Sequence, residues 1–237
     1  MNKKAIFIPG VAIATLFLIG IALTAFYFSE KKDDALIVGE IPLNIISTYE
    51  KGEKALFYLD VSSRYAASKA YSDIYTNNEC GEYQEYSLWK YGSKECFPEF
   101  SLLYNKSFNS LLNEYFISYS EVIFPLDNYE LSMKDGFLTG KAIRPLVIQP
   151  STIQERDFTY TIYPDFKIKV SFSLQELEDI TKKTKEILAL CGEDSNCWKS
   201  KIGASWEMRE EGKVFMFNVP VYEKKMLFAL HFNPLVQ

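Results

Sequence analysis

Polar and apolar positions follow three rhythms along the 237 residues. The first is an uncharged, mostly apolar run, Ala5–Phe28, between Lys3-Lys4 and the charged cluster Glu30–Asp34. A helix rises about 1.5 Å per residue, and about 20 apolar residues span a bilayer core. Residues 1–28 are therefore predicted to be a short tip and an N-terminal transmembrane helix, touching membrane lipid through residues 5–28. Lys3 and Lys4 keep that tip cytoplasmic under the positive-inside rule. The bulk of the chain is then expected outside a single-pass membrane protein.

The second rhythm is helical. After a linker over 29–42, which contains Gly39 and Pro42, apolar residues recur at three-, four- and seven-residue intervals from Leu43 to Tyr75. Gly52 weakens that helix by about 1 kcal/mol relative to alanine and is expected to mark a bend. A second helix is predicted over roughly 99–118, where Phe100, Leu103, Tyr104, Phe108, Leu111, Leu112, Tyr115 and Phe116 form a wide apolar stripe. The residues between, 76–99, read as irregular.

The third rhythm begins after Pro125, with a period of two. Tyr129, Leu131 and Met133 alternate with polar residues up to Asp135-Gly136, a strong hairpin signal. Phe166, Ile168, Val170 and Phe172 form a further strand. Ser173 and Glu176 read as a capping box opening a helix over about 174–190, stopped by Gly192. Two last strands are expected at 213–219 and 224–232. The predicted fold class is α+β: the transmembrane helix, a helical pair within 43–120, then a mostly antiparallel sheet within 126–237 with one or two packed helices. Together, residues 43–237 form the extracytoplasmic domain.

Composition narrows the function. Without Lys3 and Lys4 the 26 basic residues fall to 24, against 31 acidic ones, a balance of −7. That sign repels phosphate backbones, so no nucleic-acid partner is expected. Cys80, Cys96, Cys191 and Cys197 form two local pairs. Outside the membrane disulfides are permitted, and Cys80–Cys96 and Cys191–Cys197 are the pairings that cost least loop entropy. Their spacing does not suit zinc, and neither a metal nor a cofactor is expected.

Catalytic motifs are scarce in this sequence. It has no His-Glu-x-x-His and no Gly-x-Ser-x-Gly. His231, its single histidine, falls in an alternating stretch and reads as a strand side chain. Glu207, Glu210 and Glu211 could serve acid/base chemistry, but their spacing fits an exposed helix turn or loop. The best binding candidates are Tyr83, Tyr86, Trp89 and Tyr91, aromatics interleaved with polar groups in a loop closed by Cys80–Cys96. The competing reading has Trp89 tucked inward, pinning the loop. Asn105-Lys106-Ser107 is a glycosylation sequon.

The run Gly52–Asp60, with Tyr65-Ala66-Ala67, Cys80-Gly81 and Leu88-Trp89 beyond it, resembles a group of uncharacterised archaeal membrane-anchored proteins. The stretches Phe166–Val170 and Leu227–Leu230 share the likeness. It implies an archaeal envelope setting and no catalytic residues. The expected function is accordingly a membrane-anchored, non-enzymatic binding or structural protein of the cell envelope, with an envelope protein or polysaccharide as partner. Two alternatives stand beside it. One is a pilin-like subunit with a processed N-terminal helix that assembles into a filament. The other is a cell-wall hydrolase or its regulator.

Overall fold

A computed structural model describes residues 7–75, 79–149, 159–222 and 224–233, with side chains from 7 to 41 described only at 18–21, 23 and 24. Helix α1 spans Phe7–Asp73. It carries Pro42 inside it and runs through the residues expected to form a linker at 29–42. Residues 5 and 6 lie outside the described residues. Among those described, no helix is long and apolar enough to cross a membrane, which overturns the expected transmembrane helix. Physically, the helix carrying the apolar run does not stop at Phe28 but continues through the charged cluster.

The chain divides into two compact units, residues 1–52 with 147–160, and residues 53–146 with 161–237. Within the first unit, Tyr49 and Tyr160 hold their rings 5.8 Å apart. A Cβ at Gly52 would come within 2.5 Å of the Tyr160 ring. Gly52 is thus the place where a ring lies against an uninterrupted helix, not a bend. Residues 150–158 lie outside the described residues.

The second unit contains two sheets and three further helices. Strands β1 (Glu82–Tyr83), β2 (Tyr86–Tyr91) and β3 (Lys94–Glu95) replace the irregular segment expected over 76–99. They join β9 (Glu207–Glu211), β10 (Val214–Val221) and β11 (Lys224–His231) in the order β1-β2-β11-β10-β9, with β3 on β2. The β2–β11 pairing is parallel, so the sheet is mixed rather than wholly antiparallel. In β10, Val214, Phe215, Met216 and Phe217 are all buried, so both faces of this strand are covered.

One face of that sheet carries Tyr86, Leu88, Val214, Met216 and Ala229, with Cys80 and Tyr83 packed on them. The other face is aromatic. Trp89 stacks on Phe228 at 3.9 Å, and Phe228 on Phe217 at 4.9 Å. Trp206 meets both phenylalanines edge-on. Trp198 reaches Phe217 at 5.1 Å.

The second sheet is β4 (Tyr129–Lys134), β5 (Phe137–Ala142) and β8 (Phe166–Lys169), all antiparallel. Its hairpin turns at Asp135-Gly136 with φ of 52° and 75°, both positive as a type I′ turn requires. Gly140 sits opposite Phe166, where a Cβ would come within 2.1 Å of the ring. That gap lets Phe166 pack on Phe108 and Tyr129. A short pair, β6 (Leu146–Ile148) with β7 (Tyr160–Ile162), completes the strands.

Helix α2 (Phe100–Ser118) buries six of the eight predicted stripe residues and leaves Leu103 and Tyr115 half-buried. The part of α1 in this unit runs antiparallel to it: Tyr58 donates to the Tyr115 carbonyl, while Tyr71 stacks on Phe172, which reaches Tyr104. Helix α3 (Leu174–Cys191) starts after Ser173, although that side chain makes no capping bond. Its end is set by Gly192, at φ 52°. The short α4 (Ser195–Lys201) was not expected. Asp194 caps it by accepting from the amides of Asn196 and Cys197, and Trp198 donates to the Gly192 carbonyl at 2.9 Å.

Both disulfides are present as paired from the spacing, Cys80–Cys96 and Cys191–Cys197, with Cα atoms 5.8 and 5.5 Å apart. They fit an oxidising, extracytoplasmic compartment.

Candidate functional site

The four aromatic candidates of the 80–96 segment do not share one surface. Tyr86 and Trp89 are buried, Trp89 with 4% of its surface exposed. Alternation along β2 sends Leu88 to one face and Trp89 to the other, and both faces are covered. Trp89 lies against Phe228, Phe97 and Phe100, so it pins the strand into the core and offers no stacking face.

The other two candidates stay near solvent. Tyr91 is 43% exposed and meets the His231 ring edge-on at 5.3 Å. Tyr83, half-buried, lies 6.1 Å from the same ring, tilted against it. The neighbouring backbone is tied down. Gly92 N–H donates to the His231 carbonyl at 2.7 Å, and Cys96 N–H to the Trp89 carbonyl at 2.9 Å. The result is a small aromatic face of Tyr83 and Tyr91, on strands stapled by Cys80–Cys96, with His231 on the paired strand β11. His231 was read as a structural strand side chain, and it is the centre of this face.

A cleft of about 200 Å³ opens beside the same segment, lined by Glu82, Glu85, Ser87, Trp89 and Lys225 among others. It is small against the roughly 300–1,000 Å³ of most ligand pockets.

Glu207, Glu210 and Glu211 lie on the edge strand β9, not on a helix turn or loop. Side chains alternate along a strand, so Glu207 and Glu211 share a face and Glu210 takes the other. Each also has its own neighbour: Asn218 donates to Glu207, Lys199 pairs with Glu210 and Gln84 donates to Glu211. The three do not converge on a substrate position. Their charge suits an edge strand that must not recruit another chain.

Asn105 is exposed on α2 and lines a second cleft of about 200 Å³ with Ser101, Tyr104 and Glu178. Ser101 donates to Glu178 across it.

Among the described residues, burial favours the neutral phenol at five tyrosines, of which Tyr119 is the least buried. Burial pushes Tyr104 and Tyr129 well above the ordinary value of 10.0, with Asp165 adding to the shift at Tyr129. Burial also raises Tyr71 and, more strongly, Tyr75, whose hydroxyl donates to that of Tyr71 at 2.6 Å. A phenol with a raised folded pKa binds its proton more tightly folded than unfolded. Its stabilising effect is whole below pH 10 and is lost as pH climbs through the folded value. Spectrophotometric titration should show the phenolates of Tyr71, Tyr75, Tyr104 and Tyr129 appearing only with unfolding, and stability falling above about pH 10. Reversible ionisation of all tyrosines near pH 10 in the folded protein would contradict this.

The fold and these surfaces define a disulfide-stapled α+β domain. No protein-family model, no curated protein and no solved structure matches the chain.

Proposed function

We propose that this is a non-enzymatic, extracytoplasmic protein of the cell envelope that binds a protein or polysaccharide partner. The observation that carries the reading is the Tyr83–His231–Tyr91 face. Two tyrosines with polar tips, on a segment fixed by a disulfide, flank one imidazole of the paired strand β11, an arrangement of low conformational entropy. The two disulfides support the compartment. A photo-crosslinking residue at position 91, in cells, should give one discrete higher-mass adduct, and the same residue at exposed position 137 should give none. Equal labelling at both positions would sink the proposal.

A second reading is favoured by a specific observation. Helix α1 is one element from Phe7 to Asp73, with its apolar part continuous with the part that packs on α2. That continuity suits a pilin-like subunit assembled through its N-terminal helix. Amino-terminal sequencing of the mature protein separates the two, because a start at Met1 or Asn2 rules out processing. The hydrolase alternative is not pursued, since Glu210 takes the face of β9 opposite to Glu207 and Glu211, and each of the three is held by its own neighbour.

A further inference from the structure

A groove of about 270 Å³ lies at the far end of β11 from His231, roughly 23 Å away at about 3.3 Å per residue. Its charged lining is Arg64, Lys169 and Lys224, and no carboxylate lines it among the described residues. That is unusual in a protein of net charge −5. Two of the cations are held in place. Asp60 binds Arg64 through two nitrogens, at 3.1 and 2.9 Å, and leaves the other guanidinium N–H groups free to donate. Lys224 donates to Ser72 Oγ at 2.7 Å and stands 5.7 Å over the rings of both Tyr71 and Tyr75. Lys169 is exposed at the end of β8 and makes no ion pair among the described residues.

The second, independent observation is Tyr222. The β10–β11 hairpin pairs Val221 with Lys224, so Tyr222 opens a two-residue loop, and its φ is 52°. Such positions favour glycine, asparagine or aspartate, and a bulky side chain there is strained. Gly92 and Gly212 take the corresponding positions of two other hairpins, and Asp135-Gly136 serves a third. Gln84 is the remaining exception, and its side chain has a task, donating to Glu211. Tyr222 is 57% exposed and lines the groove. Strain kept at a surface turn points to use of the side chain.

We propose that this groove binds an acidic sugar, a single pyranose ring bearing a carboxylate or sulfate. Lys169, Lys224 and Arg64 take the anion by charge-assisted hydrogen bonds. The exposed Tyr222 ring takes the apolar C–H face of the pyranose, and Ser68 and Ser171 border the hydroxyls. The volume admits one ring and not an extended chain. A bare oxyanion would use the cations but would leave Tyr222 without a role, and that distinguishes the two ligands.

The test uses the full chain with tyrosine-selective isotope labels, followed by NMR. Glucuronate, glucose and sodium sulfate are titrated at one ionic strength. Glucuronate should saturably shift the resonances of Tyr222 and of Tyr71, which lines the same groove and reports on every variant, with glucose silent and sulfate at least about tenfold weaker. Lys169→Glu should weaken glucuronate about tenfold, with the melting temperature unchanged as the control for folding. Tyr222→Asn should raise the melting temperature by about 2–4 °C, by relieving the turn, and still lose about tenfold in glucuronate affinity. Three results would each overturn the proposal: no saturable shift, equal midpoints for glucuronate and sulfate or glucose, and full affinity in Tyr222→Asn.

Discussion

Trp89→Ala is expected to lose about 3–5 kcal/mol of unfolding free energy. The indole is 4% exposed and stacks on Phe228 at 3.9 Å, with Phe97 and Phe100 meeting it edge-on. Truncation removes its transfer free energy and leaves a cavity between β2, β11 and the start of α2. Aromatic neighbours held by Phe217 and Trp206 cannot collapse into that space cheaply. Against a total of about 5–15 kcal/mol for a typical domain, the loss is a large fraction of stability. Denaturant titration measures it as a lower midpoint at similar slope. Tyr91→Ala, two residues on and near solvent, should lower the unfolding free energy by no more than about 0.5 kcal/mol. An unchanged midpoint in Trp89→Ala would mean that the indole does not pin the sheet.

The two disulfides should differ in what they contribute. Cys80–Cys96 closes a sequence separation of 16 and Cys191–Cys197 one of 6. In the chain-entropy treatment these loops correspond to about 3 and about 2.4 kcal/mol. Packing widens the gap. Cys80 lies against the cluster of Tyr86, Leu88, Val214, Met216 and Ala229, so replacing that pair by serine also puts hydroxyls into an apolar layer. The α3–α4 corner keeps other ties when Cys191–Cys197 is removed, namely the Asp194 cap and the Trp198–Gly192 hydrogen bond. The Cys80→Ser/Cys96→Ser protein should therefore melt lower than Cys191→Ser/Cys197→Ser in parallel calorimetry. The reverse order would show that the α3–α4 corner, and not the 80–96 segment, limits stability.

Local signals in the sequence were readable where local chemistry decides the structure. Asp135-Gly136 has the two positive φ values its hairpin needs, and Gly192 ends α3. Cysteine spacing was enough for the pairing. Features set by distant partners were not readable. Residues 82–95 read as irregular because glycines and charges separate short runs, and β2 gains its identity only by lying beside β11. The run Glu207–Glu211 carries little strand propensity, and β9 forms because β10 offers it a ladder. At the candidate site, composition singled out four aromatics but could not say which way β2 would turn them. Two went to the core. His231 joined the surface pair through the same parallel register. The Lys169–Lys224–Arg64 groove collects one side chain from each of three separated elements and has no signature along the chain. The odd tyrosine in a hairpin loop was its one sequence-level clue.

The parallel pairing of β2 with β11 also sets an order of assembly. Cys80–Cys96 can close as soon as residue 96 is available, and the β4–β5 hairpin is equally local. Strand β2 has no partner on its other edge until β11 arrives, more than half the chain later. Until then a strand containing Tyr86, Leu88 and Trp89 presents an unpaired, apolar edge, the kind of template that recruits other chains. The early disulfide shortens the time for which that edge can wander, since it holds β1, β2 and β3 as one stapled unit. Oxidation before the C-terminal strands emerge would then favour yield, and delayed oxidation would favour aggregation through β2.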